Sequence, residues 1–180
     1  MRGVTASVTA TPAETSTGLP GDSIVPTADV VMDRAFDLDE PPGAVWPWIV
    51  QLGKDRAGWY LPRAVERLVP RSRRSARAVV PRWQGLGVGD VVPDYGGADA
   101  TFEVVELEPA RHLVYRSSRG RTEVSWAIVL SPQDSGTRVQ LRLRLGPVRR
   151  VWLAEHLGGA FDALTIAGMA AGLRERLETR

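Results

Sequence analysis

The chain contains 180 residues with a mass of 19.6 kDa, of which 43% are hydrophobic and 24% charged, which predicts one globular domain with a buried core. Cysteine is absent, so disulfides, thiolate metal sites and thiol nucleophiles are excluded. The formal net charge is only +2, and arginine supplies all but one of the 23 basic residues. Because no segment approaches the ~20 apolar residues of a membrane-spanning helix and no signal-peptide pattern is visible, we expect a cytoplasmic protein without a transmembrane segment.

Residues 1–28 are rich in Thr, Ala, Ser and Pro and poor in large apolar side chains. Such a segment gains too little from burial to offset the entropy lost on ordering, so we expect a flexible tail ahead of a single domain at 29–180. A first strand is predicted over 29–38, where Met32 and Phe36 lie on the same side as Arg34.

Two short helices are predicted after this strand. Asp39 is a suitable N-cap for a helix that extends to Leu52, because the apolar residues between them recur at helical spacing. After a loop at 53–58, a second helix is expected from about Tyr60 to Val69, and Pro70 ends it.

From Val88 onward the pattern becomes strand-like, with short turn-forming separators that predict an antiparallel meander. The predicted strands are 88–93, 101–107, 111–118, 121–131 and 136–146. In the last of them, Val139, Leu141, Leu143 and Leu145 alternate with arginine and glutamine, which predicts one dry face and one wet face.

Residues 149–178 return to helical spacing and form a wide apolar face, with Phe161, Leu164 and Met169 on one stripe. Such a helix would be roughly 40 Å long, enough to cross a sheet of six or seven strands. A sheet with one apolar face covered by a long helix is an α+β arrangement.

Three short motifs lie in and after the first predicted helix: Trp46-Pro47-Trp48, Gln51-Leu52-Gly53 and Arg56-Ala57-Gly58-Trp59-Tyr60. Together with the order of elements, they resemble the SRPBCC superfamily of START-like, birch-pollen-allergen-like helix-grip proteins. The motifs are similar in particular to an actinobacterial subgroup related to polyketide cyclases and dehydratases. The resemblance spans residues 29–178, but after Tyr60 this chain has Leu61-Pro62-Arg63-Ala64 where such relatives often carry a Ser-Tyr-Asp-Trp-like stretch.

The resemblance implies a curved sheet that grips the long helix, with an elongated apolar cavity between them. The cavity would hold a lipid, polyketide, terpenoid, steroid or aromatic ligand. Some relatives only bind or transport such molecules, and others are cofactor-free cyclases or dehydratases.

The candidate ligand-binding residues are Trp59, Tyr60, Leu113, Trp126, Ile128, Leu141, Leu143, Trp152, Ala160 and Ala163. Ordinary core packing is the competing interpretation, because large aromatic side chains dominate cores as well as pockets. Trp126 is the most informative candidate, since a central strand and the long helix should meet there.

The candidate acid–base residues of the enzyme alternative are His156, Tyr115, Tyr95, Asp55 and Arg56. His156 lies one helical turn from Ala160 and would point into the cavity, although a buried structural histidine is the competing interpretation. Tyr115 has the strand parity of Leu113 and is expected to face inward. The loop at 53–60 is expected to close one end of the cavity, or else to be shaped only by a contact of Arg56.

Neither a metal nor a cofactor is expected, because the two histidines lack partners at ligand spacing and no phosphate-binding or hydrolase motif occurs. Seven arginines fall between Arg63 and Arg82 against one acid, Glu66. They lack the interleaved aromatics of a nucleic-acid module, so we expect a solvated segment and no nucleic-acid partner. The alternative is a regulatory module that docks through this segment on an acidic membrane or carrier protein. A monomer or homodimer is expected.

Overall fold

The sheet is a meander whose first strand pairs with its last. It is seen in a computed structural model that describes residues 8–97, 99–134, 136–149, 151, 156 and 158–178. The strands are β1 (Val30–Leu38), β2 (Val91–Pro93), β3 (Thr101–Glu108), β4 (His112–Arg119), β5 (Thr122–Gln133) and β6 (Gly136–Gly146). They form one antiparallel sheet in the order β1-β6-β5-β4-β3-β2, with a bulge in β3 between Val104 and Glu106 that bends it.

The α-helices of the described residues are α1 (Pro12–Ser16), α2 (Pro42–Gln51), α3 (Arg63–Glu66) and α4 (Gly159–Leu177). The predicted α+β helix-grip arrangement is confirmed, and the six strands agree with the sequence prediction to within a few residues. The helix α3 is shorter than predicted at both ends: the ring of Pro62 disfavours helical backbone at Leu61, and the chain continues as turns after Glu66. The helix α4 lies within the predicted helix at 149–178, and Val151, His156 and Gly158 ahead of it are helical as well. Residues 150, 152–155 and 157 lie outside the described residues. No described helix is long and apolar enough to cross a bilayer.

The inner face of the sheet carries the core. Val104, Leu113, Ile128 and Val139 come from four neighbouring strands, and all four are fully buried. The helix α2 packs against β5, β6 and α4, and its Ile49 is fully buried as well. Each such side chain contributes about 1.5–3 kcal/mol relative to an exposed position.

The helix α4 presents a different face to the core than the sequence pattern predicted. Met169 is fully buried, but Phe161 and Leu164 of the same predicted stripe are 71% and 74% exposed. A close approach favours this rotation, because a Cβ at Gly172 would lie 2.7 Å from the backbone nitrogen of Leu61. Only glycine lets the two backbones pass at that distance.

An ion pair connects the first half of α4 to β1. Arg34 lies on the inner face, with its Nε 2.9 Å from Oδ2 of Asp162, and its Nη2 donates to the Gly159 carbonyl at 2.8 Å. Burial raises the pKa of Asp162, and the charge of Arg34 opposes that rise. The strand contacts of α4 are concentrated on β1.

Residues 8–28 lie across the outer face of the sheet, which differs from the flexible tail predicted from composition. The Val8 carbonyl accepts a hydrogen bond of 3.1 Å from the backbone N–H of Ala35, so the segment starts at the β1 edge. After α1 it reaches β4, where a Cβ at Gly21 would lie 2.4 Å from Cγ1 of Val114. The outer face is therefore covered in the middle of the sheet.

Arg142 of β6 holds this segment in place, and its side chain is 3% exposed. Its five N–H groups make five hydrogen bonds of 2.8 to 3.0 Å, to the carboxylates of Asp22 and Asp33 and to the carbonyls of Glu14, Thr15 and Thr17. The three carbonyls lie at the end of α1, where the unpaired backbone acceptors of a helix favour a cation.

The predicted wet face of β6 is therefore wrong for Gln140 and Arg142, which are buried beneath the N-terminal segment. The low apolar content of residues 8–28 underestimates how firmly they are held against the sheet. This segment is held largely by charge-assisted hydrogen bonds, which are about twice as strong as neutral ones. Whether such bonds form depends on which arginines of β6 lie opposite the N-terminal segment, and the composition of that segment does not show this.

We predict that Arg142→Ala lowers the free energy of unfolding by about 3–5 kcal/mol, because two carboxylates and three carbonyls lose their donor in a buried place. Urea denaturation measures this change, and limited proteolysis of residues 8–28 should accelerate in parallel. The matched control is Arg116→Ala, whose exposed ion pair with Glu103 should contribute no more than about 1 kcal/mol. Equal losses in the two variants would contradict the assignment.

Candidate ligand-binding site

Four aromatic rings meet on the inner side of the sheet. Trp126 of β5 stacks on Tyr115 of β4 with ring centroids 5.6 Å apart, and Trp59 stacks on Trp126 from the loop side at 6.1 Å. Phe102 of β3 lies 5.7 Å from Tyr115 and 5.8 Å from Trp126. We call these four residues the aromatic cluster.

Strand register places Tyr115 and Trp126 side by side on the sheet. Tyr115 pairs directly with Trp126, and Trp126 pairs with Leu143 of β6, so all three side chains share the inner face. Phe102 precedes Val104 by two residues, and Val104 pairs with Tyr115, so Phe102 shares their face. Sequence analysis did not name Phe102, because the bulge after Val104 interrupts the alternation of β3 and brings Leu107, an odd number of residues away, to the same face.

The loop at 53–58 brings Trp59 over the sheet. Gly53 and Gly58 form a bridge at the loop's base with φ angles of 136° and 81°, which favour glycine. Arg56 lies between them and donates through Nη2 to the carbonyls of Val50 and Trp83, at 2.9 and 2.8 Å. The loop is thereby bonded both to the end of α2 and to the segment that follows α3.

A hydrogen bond links the aromatic cluster to α4. The Trp59 Nε1–H donates to the Thr165 carbonyl at 3.3 Å, so one indole contacts the helix on one side and Trp126 on the other. Trp59, Phe102 and Trp126 are only partly buried. The cluster thus lies between the sheet and the helix and still reaches solvent.

Charged side chains stand at the edge of the cluster near β2. Arg119 pairs with Asp94, donates to the Ser117 hydroxyl at 3.0 Å, and lies 5.4 Å over the ring of Phe102. Nearby, Tyr95 is 59% exposed, and its partial burial together with the charges of Asp55 and Asp94 raises the pKa of its hydroxyl. Three sequence candidates, Asp55, Arg56 and Tyr95, therefore lie at one end of the site.

Tyr115 is the polar member of the cluster. It is 3% exposed, and burial raises the pKa of its hydroxyl while the positive charge of Arg56 opposes the shift. Within the described part of the chain its hydroxyl makes no hydrogen bond. The Nε of Arg56 is also buried without an acceptor among those residues. Two donors at this site are therefore available to a ligand oxygen.

Other sequence candidates lie apart from the aromatic cluster. Leu113, Ile128 and Leu141 are buried in the core, and Tyr60 donates its hydroxyl to the Trp48 carbonyl at 2.8 Å. Leu143 and Ala163 are half-buried, and Ala160 is exposed. His156 is exposed at the start of the helical region, rather than pointing inward, and Trp152 lies outside the described residues.

Two surface depressions lie away from the aromatic cluster. One of about 520 Å³ opens at the β3–β4 turn beside Pro42 and His112, and one of about 240 Å³ opens on the outer face beside Arg116. At the cluster itself the rings contact one another, so a ligand must enter beside them or displace Trp59. In the described ranges no three His, Asp or Glu side chains are grouped to hold a metal ion.

The fold is the α+β helix-grip arrangement. No protein-family model and no curated protein matches the chain. Among solved structures, CV1439 from Chromobacterium violaceum has a TM-score of 0.53 at 14% identity, covering 82% of this chain and 97% of its own. NE0264 from Nitrosomonas europaea has a TM-score of 0.52 at 18% identity, covering 84% of this chain and 96% of its own.

DynU16, a protein in the dynemicin biosynthetic locus, has a TM-score of 0.50 at 18% identity. The match covers 83% of this chain and 47% of that chain, so this chain spans about half the length of DynU16. At these identities the likenesses establish the fold alone.

We predict that Tyr115 ionises only above the usual pKa of a free tyrosine. Since the folded state prefers the neutral phenol, its contribution to stability is complete below about pH 10 and is lost as the pH rises further. Urea denaturation between about pH 9 and 11 should show a smaller loss of stability for Tyr115→Phe than for the wild type. Parallel curves for the two proteins would mean that the hydroxyl is not desolvated.

Proposed function

We propose that this protein binds a flat, largely apolar small molecule against the aromatic cluster, between the sheet and α4. The observation that carries the proposal is the stack of Trp59, Trp126 and Tyr115, in which the two tryptophans are only partly buried. Aromatic faces bind planar ligands by offset stacking and by burial of apolar area.

The polar groups favour a ligand that carries an oxygen acceptor. The Tyr115 hydroxyl is held protonated, and the Arg56 Nε–H is buried without an acceptor in the described ranges. An unpaired buried donor costs about 1–3 kcal/mol, which a ligand carbonyl or phenolate would recover. This favours an aromatic or polyketide-like ketone over a plain hydrocarbon or an alkyl chain.

Trp59 would act as the gate to this site. Its indole is held by one hydrogen bond of 3.3 Å and by stacking on Trp126, and the loop that carries it turns on Gly53 and Gly58. A rotation of the Trp59 side chain would uncover Trp126 and leave both the loop and the sheet unchanged.

Cyclisation or dehydration of a polyketide is the alternative function, in line with the subgroup that the sequence motifs resemble. The same hydroxyl favours one role in it: because burial raises the pKa of Tyr115, this residue would donate a proton or a hydrogen bond to a carbonyl and would not act as a base at neutral pH. DynU16 is a protein in a biosynthetic locus, which supports a small-molecule ligand for either function.

The test is a titration with fluorenone and with fluorene, two planar molecules that differ by one carbonyl group. We expect fluorenone to bind more tightly, and Tyr115→Phe to remove about a five- to tenfold preference while leaving fluorene unaffected. Calorimetry, or quenching of tryptophan fluorescence, measures both affinities.

Trp126→Phe should weaken both ligands by about tenfold, because it replaces the central indole of the stack with a smaller ring that offers less area for stacking. The matched control is Trp83→Phe, the same substitution at a tryptophan that stacks on Arg82 instead. Equal effects of the two tryptophan substitutions, or no binding of either molecule, would refute the proposed site. Turnover of a polyketide ketone by the wild type, abolished in Tyr115→Phe, would instead favour the enzyme.

A further inference from the structure

Residues 63–74, which we call the basic segment, form a run of tight turns. The helix α3 is followed by backbone hydrogen bonds from Leu68 N–H to the Val65 carbonyl at 3.0 Å and from Arg73 N–H to the Pro70 carbonyl at 2.9 Å. Arg74 folds back over these turns and donates to the carbonyls of Val69 and Arg67, at 2.9 and 3.3 Å. The segment therefore has a defined shape instead of being an open linker.

The one acid of the basic segment is directed inward. Glu66 is 6% exposed and accepts hydrogen bonds from Ser75, from Arg77 and, at 2.7 Å, from Arg176. Burial alone would raise the pKa of Glu66, but these hydrogen bonds hold it below its usual value. Glu66 is thus charged and internally neutralised, and it fixes the segment to α4 through Arg176.

Five arginines of the basic segment are left facing solvent: Arg63, Arg67, Arg71, Arg73 and Arg74. None of the five forms an ion pair with a described residue. This contrasts with Arg77 and Arg176, which both pair with Glu66. The outer side of the segment thus carries five positive charges and no compensating carboxylate of its own.

An apolar residue is exposed among these charges. Leu68 is 87% exposed, and Val65, one helical turn away, is 43% exposed. These exposed side chains bury little apolar surface and therefore contribute little to the stability of the fold. Exposed apolar side chains within a cationic surface are typical of proteins that bind the interface of an anionic membrane, where charge attraction and apolar insertion are both needed for stable attachment.

We propose that the basic segment docks this protein on an anionic lipid surface, with the arginines on the lipid phosphates and Leu68 inserted among the acyl chains. An anionic bilayer needs no shape complementarity, which suits a segment of short turns. A nucleic acid or an acidic protein surface would match the charges but would leave Leu68 unused. This inference is independent of the proposed ligand site.

The test is sedimentation with vesicles of phosphatidylcholine, with and without about one quarter phosphatidylglycerol. We expect binding only to the anionic vesicles, and weaker binding as the salt concentration rises. Arg71→Glu/Arg73→Glu should lower the partition coefficient by about tenfold or more, and Leu68→Ser by severalfold with the salt dependence unchanged.

The matched control is Arg121→Glu/Arg149→Glu, which changes the net charge equally at two exposed arginines outside the segment. It should bind as the wild type does. Equal losses in the two double variants would reduce the effect to net charge and overturn the proposal, as would a failure of the wild type to bind anionic vesicles. Unchanged binding of Leu68→Ser, with full competition by polyglutamate, would overturn it in favour of an acidic protein partner.

Discussion

Two fully bonded guanidinium groups hold the irregular parts of this chain against its sheet and helix. Arg142 donates four of its five hydrogen bonds to the N-terminal segment and the fifth to Asp33 of β1. The side chain of Arg176 is fully buried. Its five N–H groups donate hydrogen bonds to Glu66 and Ser75 and to the carbonyls of Leu61, Ala76 and Gly172. A buried cation is unfavourable unless every donor is paired, so each group requires one specific path of the surrounding chain.

This requirement accounts for how the candidate site is assembled. Arg176 donates to the Leu61 carbonyl, and Gly172 lets the backbone at Leu61 lie directly against α4. Trp59 is two residues before this contact. The indole of Trp59 then reaches both the Thr165 carbonyl and the ring of Trp126. The ring contacts therefore depend on a polar network that lies at the other end of the helix.

The arginine content has two structural roles that composition does not separate. Arg34, Arg142 and Arg176 are paired inside the fold, whereas the basic segment turns its arginines outward. The same residue type is paired inside the fold at one place and exposed to solvent at another. An arginine is paired inside the fold where a carboxylate or several backbone carbonyls lie within hydrogen-bond distance of its guanidinium group.

The sequence by itself determined the strands, their order along the chain and the inward parity of Tyr115 and Trp126, because alternation and turn residues are local signals. It also indicated the aromatic loop through its glycines. Only the tertiary structure decided the rotation of α4, the cover that residues 8–28 provide for the outer face, and the inclusion of Phe102 in the aromatic cluster. These features depend on contacts between distant residues, namely a glycine crossing, a buried guanidinium and a strand bulge, and local periodicity carries no information about such contacts.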